Sequence, residues 1–260
     1  MQTPSFRLDG KSALVTGGSK GIGLAAAHAL AQAGAQVMIV ARNRPDFLAP
    51  DFIASGADFM PANGVKSYKF AFQSVDVRDS SAVEAVFKNH GPFDIVVNNA
   101  GTTRTKLIDE ATDDDLDTVI DLNIKAAFYV LRAAARSLKA AKIPGSLINI
   151  SSQMGHVGGP KRTLYCASKH ALEGMTKTLG WELGPNNIRV NSICPTFIET
   201  ELTAGMLADP DFKAFVTSKI ALGRVGKLEE IMGAIVFLAS DASSLMTGSA
   251  LMLDGGWTAS

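Results

Sequence analysis

Near the start of the chain stands the stretch Thr16-Gly17-Gly18-Ser19-Lys20-Gly21-Ile22-Gly23. It follows the apolar run 12–15 and opens a segment whose apolar and small residues recur at helical spacing. The glycines therefore lie where a strand turns sharply into a helix, and they let backbone N–H groups approach a ligand closely. Because the start of a helix offers unpaired N–H donors and the positive end of its dipole, the stretch predicts a binding site for a diphosphate.

The same stretch leaves two other interpretations open. Residues 17–21 also match G-x-S-x-G, the strand–turn–helix that presents the nucleophile of α/β-hydrolases, here Ser19. An ordinary helix start that needs small residues is the third interpretation. A Walker A loop is excluded, since no Gly-Lys-Ser/Thr closes the stretch.

Composition narrows the classes of protein to consider. The chain has 260 residues, of which 47% are hydrophobic and 19% charged, as expected for a globular domain with a well-buried core. Its 25 basic and 25 acidic residues balance, which argues against binding to nucleic acid or to an anionic membrane. Two cysteines give no disulfide framework, the four histidines suggest no metal site, and neither a signal peptide nor an apolar run of about 18 residues occurs. We therefore expect a cytoplasmic protein without a metal.

Seven short apolar runs predict strands, and helical patterns separate them. The runs are 13–16, 36–41, 72–77, 93–98, 146–151, 189–194 and 250–253. Two of them are continuously apolar, as is typical of strands buried on both faces. This alternation predicts an α/β fold with a doubly wound, mostly parallel sheet in a single domain, 1–260. Segment 43–69 contains three prolines, which predict a broken and partly looped crossover helix without an assigned role.

The end of the second predicted strand bears on the choice of dinucleotide. An NAD site places an acidic residue about 20 positions after the glycines, but no Asp or Glu occurs in 24–45. Arg42 lies there instead, and Lys20 lies within the glycine stretch. Two cations favour NADP(H), since a cation attracts the 2′-phosphate. NAD(H) remains the alternative, with Arg42 solvated or stacked on the adenine.

Polar residues mark the carboxyl end of one further strand and the interior of the helix that follows it. Asn98-Asn99-Ala100-Gly101 ends the fourth predicted strand, at the sheet edge where ligands bind in open α/β folds. Asn123 lies within the apolar pattern of a predicted helix, 113–139, and a buried amide there needs a hydrogen-bond partner. Asn123 is either a bridge within the core or part of the site.

Tyr165 and Lys169 open a helical pattern after the fifth predicted strand. They are four residues apart and therefore share one helix face. A nearby ammonium favours the phenolate form and lowers the pKa of a tyrosine from about 10, which makes Tyr165 a candidate general acid/base. Ser152, at the end of the fifth strand, is placed to donate a hydrogen bond to the same substrate oxygen.

These motifs together resemble the classical short-chain dehydrogenase/reductase family. The resemblance is carried by the glycine stretch 16–23, Asp76, 98–101, Asn123, Ser152 thirteen residues before Tyr165, the stretch 165–169, and 254–256. It extends from Leu8 to Trp257. It implies a Rossmann-like, seven-stranded sheet with helices on both faces, and a homotetramer.

The resemblance also implies roles for individual residues. Tyr165 would be the general acid/base, and Lys169 would lower its pKa and hold the nicotinamide ribose. Ser152 would polarise the substrate carbonyl, and Asn123 would hold a water in a proton relay to Lys169. The expected cofactor contacts are Gly17, Ser19, Lys20, Gly21, Ile22, Gly23, Arg42, Asp76, Val77, Asn99, Ala100, Gly101, Tyr165, Lys169, Pro195, Ile198 and Thr200. The family's Pro-Gly after the sixth strand is Pro195-Thr196 in this chain.

The substrate is the least determined part of this interpretation. Gln153 and His156 follow Ser152 and are candidates to bind a polar substrate, with Ser152 and Tyr165; His156 is equally well a solvated loop residue. The segment 196–221 is expected to form a substrate loop that closes as a lid. Lys161 and Arg162 could meet an acidic group of the substrate, and the favoured interpretation is that both are solvated loop cations.

Three functional hypotheses follow. The favoured one is a reductase of a ketone of sugar, polyol or 3-oxoacyl type, or the reverse oxidation of a secondary alcohol. The second is a non-catalytic NADP-binding regulator, which the intact Ser152, Tyr165 and Lys169 argue against. The third is a serine hydrolase using Ser19, which needs a histidine late in the chain, whereas the last one is His170.

Overall fold

The protein is described by a computed structural model that covers residues 2–46, 48, 58–59 and 68–259. Much of the segment 43–69 therefore lies outside the described residues. The described strands are β1 (Ser12–Thr16), β2 (Gln36–Ala41), β3 (Asp58–Phe59), β4 (Tyr68–Ser74), β5 (Ile95–Asn98), β6 (Gly145–Ile150), β7 (Ile188–Pro195) and β8 (Ala250–Leu253). The described helices are α1 (Gly21–Ala33), α2 (Ser80–His90), α3 (Asp113–Ile120), α4 (Ala126–Ala141), α5 (Thr163–Leu183), α6 (Glu201–Leu207), α7 (Pro210–Lys219) and α8 (Leu228–Ala239).

The strands form one sheet in the order β3-β4-β2-β1-β5-β6-β7-β8. Neighbouring strands from β4 to β8 pair in parallel, so the predicted doubly wound, seven-stranded parallel sheet is confirmed. The structure adds one strand to the expectation, since β3 pairs antiparallel with β4 at the edge over two residues. Strand order reverses between β1 and β5, and this switch point is where such sheets bind ligands.

Side chains from the sheet alternate between two apolar layers. On β1, Ala13 and Val15 pack into the layer that contains α1 and α8, while Leu14 packs into the layer that contains α2 and α4. All three are at most 1% exposed, which explains why the strand lacks polar alternation in the sequence.

β4 begins and ends earlier than its sequence indicates. The prediction was 72–77, whereas the strand is Tyr68–Ser74. The backbone N–H of Val75 still bonds to the carbonyl of Ala41, but the chain then leaves the sheet. Val75 and Val77 are apolar because they fill the core beside α2 and not because they belong to the strand. Asp76 therefore lies just beyond the carboxyl end of β4.

The predicted helix 113–139 is interrupted. Helices α3 and α4 are joined by a π-helical turn, Asp121–Lys125, which contains Asn123. A π turn holds one residue more than an α turn and redirects the side chains around it, and such turns often lie at functional sites. Spacing in the sequence cannot distinguish this interruption, since the apolar pattern continues through it.

The segment 196–221, predicted to be a substrate loop, contains two short helices, α6 and α7. Val216, Ile220 and Val225 form a separate small apolar cluster there, against which Phe197 and Trp257 pack. In the described parts of the chain, no helix combines the length and apolar character that crossing a membrane would need.

Candidate active site

The glycine stretch forms the predicted turn between β1 and α1. Gly17 has φ +63° and Gly21 has φ +54°, a left-handed conformation that side chains rarely adopt. A Cβ at Gly23 would meet the carbonyl oxygen of Gly17, so the turn is closed tightly on itself. No side chain caps the start of α1 and its first turn holds no acidic residue, which leaves the backbone donors available to an anion. These features fit a diphosphate.

Asn99 joins the end of β5 to the glycine stretch. Its Nδ2 donates to the carbonyl oxygens of Thr16 at 3.0 Å and of Gly17 at 3.2 Å. The Thr16 hydroxyl in turn accepts from the backbone N–H groups of Asn99 and Ala100. The structure thus brings the predicted stretch 98–101 directly against the glycine turn, and Asn99 acts there as a bridge between backbones.

The predicted adenosine contacts lie at the carboxyl ends of β2 and β4. Arg42 is exposed and has no ion pair in the described residues. Asp76 is bound by Arg78 at 2.6 Å, and this hydrogen bond, with a smaller contribution from the charge of Arg42, holds the pKa of Asp76 below its usual value. Lys20, which the sequence pairs with Arg42 as the cations that favour NADP(H), has its Nζ 3.2 Å from the carboxylate of Glu201 at the start of α6.

Asn123 is buried in the π turn, and both the nitrogen and the oxygen of its side-chain amide form hydrogen bonds. Its Nδ2 donates to the carbonyl oxygen of Thr102 at 2.9 Å and to the Ser168 hydroxyl at 3.0 Å, and its Oδ1 accepts from the N–H of Thr102 at 2.8 Å. Asn123 therefore ties the loop after β5 to α5, in the turn that carries Tyr165 and Lys169.

Ser152 lies at the end of β6 and is 6% exposed. Its hydroxyl donates to Gln153 Oε1 at 2.9 Å and accepts from the N–H of Met154 at 3.1 Å. Gln153 is itself buried, and its Nε2 donates to the Thr196 hydroxyl at 3.3 Å. Gln153 thus holds Ser152 and the start of the segment after β7 together.

Tyr165 and Lys169 lie one turn apart at the start of α5. The Lys169 ammonium is 5.6 Å from the centre of the Tyr165 ring and donates to the carbonyl oxygen of Ile150 at 2.8 Å. Burial lowers the pKa of Lys169 to about 8, although the nearby acidic groups Cys194 and Glu173 oppose this shift.

The expected lowering of the pKa of Tyr165 is not what this structure gives. Burial raises the pKa of Tyr165, and it outweighs the hydrogen bond with Ser152 and the charge of Arg162, which lower it. The Lys169 ammonium is engaged with a backbone carbonyl, so its charge is not directed at the phenol oxygen. Burial thus favours the protonated phenol of Tyr165.

His156 contacts α5 and β7 through Glu173 and Cys194. Its Nε2 lies 3.6 Å from Glu173 Oε2 and 3.5 Å from Cys194 Sγ, and the three ligand-capable atoms lie within 4.8 Å of one another. The sequence suggested no such cluster. Burial and the charge of Glu173 raise the pKa of Cys194 to about 12, and its thiol donates to Glu173 Oε1 at 3.4 Å. Hydrogen bonding therefore accounts for the cluster.

For Arg162 the favoured interpretation as a solvated loop cation is wrong. Arg162 is 6% exposed, and it occupies the N-cap position of α5 without a side-chain hydrogen bond to the helix. It borders a cavity of about 310 Å³ between the loop after β6 and the segment 196–219. The wall includes Met154, Arg162, Phe197, Phe212, Lys219 and Trp257. One signal was available in the sequence, since Arg162 lies three residues before Tyr165, on the same side of the helix.

Ser19, the alternative nucleophile, lies in the glycine turn and makes no hydrogen bond to a histidine among the described residues.

The remaining predicted cofactor contacts lie at the end of β7 and in the segment after it. Pro195 and Ile198 are buried, and Thr200 begins α6 by bonding with Thr203. The predicted cofactor residues near the glycine turn and the predicted catalytic residues thus meet at one edge of the sheet.

Known proteins resemble the chain over its whole length. A family model described as enoyl-(acyl carrier protein) reductase matches residues 17–258. The chain is 37% identical to gluconate 5-dehydrogenase of Gluconobacter oxydans, over 98% of this chain and 97% of the relative. It is 36% identical to L-xylulose reductase of Mus musculus, over 97% and 98%. A solved gluconate 5-dehydrogenase of Burkholderia cenocepacia, in complex with NADP and tartrate, superposes with a TM-score of 0.88 at 34% identity and 98% coverage of both chains.

Proposed function

The chain belongs to the short-chain dehydrogenase/reductase family, and on this basis we propose that it interconverts a ketone and a secondary alcohol of the sugar or polyol class with NADP(H). One observation carries the proposal. Ser152, Tyr165 and Lys169 converge at the carboxyl ends of β6 and β7, beside a glycine turn whose free backbone donors fit a diphosphate.

The cofactor would lie along the carboxyl edge of the sheet and, when bound, supplies or accepts the hydride. The glycine turn and the start of α1 would hold its diphosphate, and Asp76 and Val77 would border the adenine. The exposed guanidinium of Arg42, at the end of β2, would bind the 2′-phosphate, because it forms no ion pair with a carboxylate among the described residues. Asn99, Lys169, Pro195, Ile198 and Thr200 would border the rest of the cofactor.

Tyr165 would act as the general acid/base. Burial raises its pKa, so the phenol is protonated and ready to donate a proton to the substrate oxygen during reduction. Ser152, whose hydroxyl donates to Gln153 in this structure, would instead donate to the same substrate oxygen and stabilise the charge that develops there. Lys169, with a pKa of about 8, would return a proton towards Tyr165 after each turnover.

Asn123 would support this proton path by position. Its hydrogen bond to Ser168 fixes the turn of α5 between Tyr165 and Lys169, and its bonds to Thr102 fix the loop after β5. A water held near this turn would connect Lys169 to the solvent. The homotetrameric assembly and the cytoplasmic location stay predictions that rest on the family resemblance.

Replacing the phenol hydroxyl tests the proposal. Tyr165→Phe should lower kcat for NADPH-dependent reduction of a sugar-ketone panel by about 10²- to 10⁴-fold, while NADPH binding changes little. Reduction is followed by the loss of cofactor absorbance, and binding by protection against thermal unfolding. Cys166→Ser, the adjacent residue in the helix, serves as the control and should retain activity. Equal turnover by Tyr165→Phe and the wild type would show that Tyr165 is not the general acid/base.

A further inference from the structure

Arg162 is a buried cation whose partners are all neutral. Its Nη1 donates to the hydroxyls of Thr103 at 3.2 Å and of Thr105 at 2.8 Å, and its Nη2 donates to the Met206 sulfur at 3.1 Å. No carboxylate of the described chain forms an ion pair with it, and burial lowers its pKa. A buried charge without a counter-ion is costly, so an anion is the group that this position lacks.

Donors remain free on this side chain. A guanidinium carries five N–H donors, and the three hydrogen bonds of Arg162 leave the Nε–H without an acceptor among the described residues. One of the three bonds goes to a thioether sulfur, which is a weak acceptor that an oxygen anion displaces readily. The planar arrangement of these donors matches the two oxygens of a carboxylate.

The cavity next to Arg162 has the character of an anion site. Lys219 borders it as a second cation, and none of the described residues in its wall is acidic. The remaining wall is largely apolar and aromatic, formed by Phe197, Phe212 and Trp257. The Cζ atom of Arg162 lies 5.9 Å from the centre of the Phe197 ring, so the guanidinium packs against the aromatic wall.

This cavity adjoins the proposed catalytic group. Met154 in its wall is two residues from Ser152, and Arg162 is one helical turn before Tyr165. The charge of Arg162 also favours ionisation of Tyr165, which places the two groups close together. A substrate whose carbonyl oxygen lies between Ser152 and Tyr165 would therefore extend into the cavity with its next carbons, towards Arg162.

We propose that Arg162 binds a carboxylate of the substrate, so that the chain acts on a hydroxy or keto acid rather than on a neutral polyol or ketose. The proposal rests on the proposed function for the position of the reacting carbonyl. Arg162 is then a specificity residue: it holds the acid end of a sugar acid, and the aromatic wall packs against the carbon chain.

Equilibrium binding tests this without depending on turnover. Three pairs of probes differ only in carboxylate against hydroxymethyl groups: D-gluconate and D-sorbitol, D-galactonate and galactitol, and L-tartrate and threitol. Binding of each to the NADP⁺-saturated protein is measured by thermal shift and by titration calorimetry. In the wild type, at least one acid should bind about 10- to 100-fold more tightly than its matched polyol, the range expected for a charge-assisted hydrogen-bond pair.

Variants assign the preference to Arg162. Arg162→Gln should reduce the acid-to-polyol ratio to near one, and Arg162→Lys should restore part of it, since lysine keeps the charge without the planar donors. Lys161→Gln is the matched control, because Lys161 is the adjacent, exposed cation of the same loop and should leave the ratio unchanged. NADPH binding is measured for every variant to verify that it is folded.

Two results would overturn the proposal. One is that no acid binds more tightly than its matched polyol in the wild type. The other is that Arg162→Gln, folded and still binding NADPH, keeps the wild-type ratio. Sorbitol 6-phosphate is included as an anion of another class. If it binds more tightly than every acid, the site prefers a phosphate to a carboxylate, and that result also contradicts the proposal. Loss of turnover in Tyr165→Phe with an unchanged ratio separates this inference from the proposed function.

Discussion

The Lys169 ammonium donates a hydrogen bond to the carbonyl oxygen of Ile150 at 2.8 Å, which joins the start of α5 to the last residue of β6. Ser152 follows two residues after that carbonyl, and Tyr165 lies one helical turn before Lys169. A single buried bond thus sets the separation between the serine and the tyrosine. The same burial lowers the pKa of Lys169 to about 8, so the bond and the titration of this group are linked.

Lys169 should make stability depend on pH above 8. Its folded pKa of about 8 lies below the ordinary value of 10.5, so between these values the unfolded chain binds a proton that the folded protein does not. The free energy of unfolding of the wild type, relative to Lys169→Met, should therefore rise by about 2 kcal/mol from pH 8 to pH 9.5, and stay level below pH 7. Urea unfolding at each pH measures it, with Lys177→Met, an exposed lysine of α5, as the control. Parallel pH curves for the wild type and Lys169→Met would contradict the prediction.

Asn123 should be required for the stability of the π turn. Asn123→Ala removes three hydrogen bonds and leaves the carbonyl and N–H of Thr102 without these partners, so the free energy of unfolding should fall by about 1–3 kcal/mol. Turnover should fall more than stability, since the turn of α5 between Tyr165 and Lys169 loses its anchor. Lys139→Gln, exposed near the end of α4, is the control and should leave both unchanged. A fully stable and active Asn123→Ala protein would refute a positioning role.

Arg42 should determine the choice between the two dinucleotides. Arg42→Gln should weaken NADPH binding by about 10- to 100-fold and leave NADH binding almost unchanged, since only NADPH carries the 2′-phosphate. Kd values for both dinucleotides are measured by fluorescence titration. Greater affinity of the wild type for NADH than for NADPH would support the NAD(H) alternative instead.

Lys20 should matter less than Arg42, because Glu201 already offsets its charge at 3.2 Å. We expect Lys20→Gln to weaken NADPH binding by less than about threefold, as surface ion pairs contribute little. Glu201→Gln should instead strengthen NADPH binding slightly by releasing the lysine. If Lys20→Gln weakened NADPH binding as much as Arg42→Gln does, the ion pair with Glu201 would not reduce the contribution of Lys20 to NADPH binding.

Gly23 should not tolerate a side chain. A Cβ at Gly23 would meet the carbonyl oxygen of Gly17 and the amide of Asn99, so Gly23→Ala should open the turn and abolish detectable NADPH binding. Gly174→Ala is the matched control in α5, since a Cβ there meets nothing within 4 Å, and alanine should stabilise that helix by up to about 1 kcal/mol. Thermal unfolding with and without NADPH measures both. Retained NADPH protection in Gly23→Ala would contradict the close packing of the turn.

Much of the fold and of the site is predictable because its signals are local. β2 and β8 have the limits expected from their apolar runs, and α1 begins within the glycine stretch as its spacing indicates. The spacing of four between Tyr165 and Lys169 already places both on one helix face. These features depend on residues that are close together in the sequence: the backbone conformation of a turn, the periodicity of a helix and the apolar run of a strand buried on both faces. The sequence alone therefore determined them.

Other features depended on groups that are distant in the sequence. In the sequence, Arg162 has the appearance of a solvated loop cation, whereas in the structure it is hydrogen-bonded to Thr103, Thr105 and Met206. Lys20 likewise has no partner nearby in the sequence, whereas in the structure it forms an ion pair with Glu201 of α6. The direction of the Tyr165 pKa shift was likewise wrong, since helical spacing gives the nearness of Lys169 but not the burial that dominates. Burial and counter-ions are properties of the packed chain. The sequence by itself determined where the catalytic side chains lie along the chain, and only the tertiary structure decided which of its charges lack a partner.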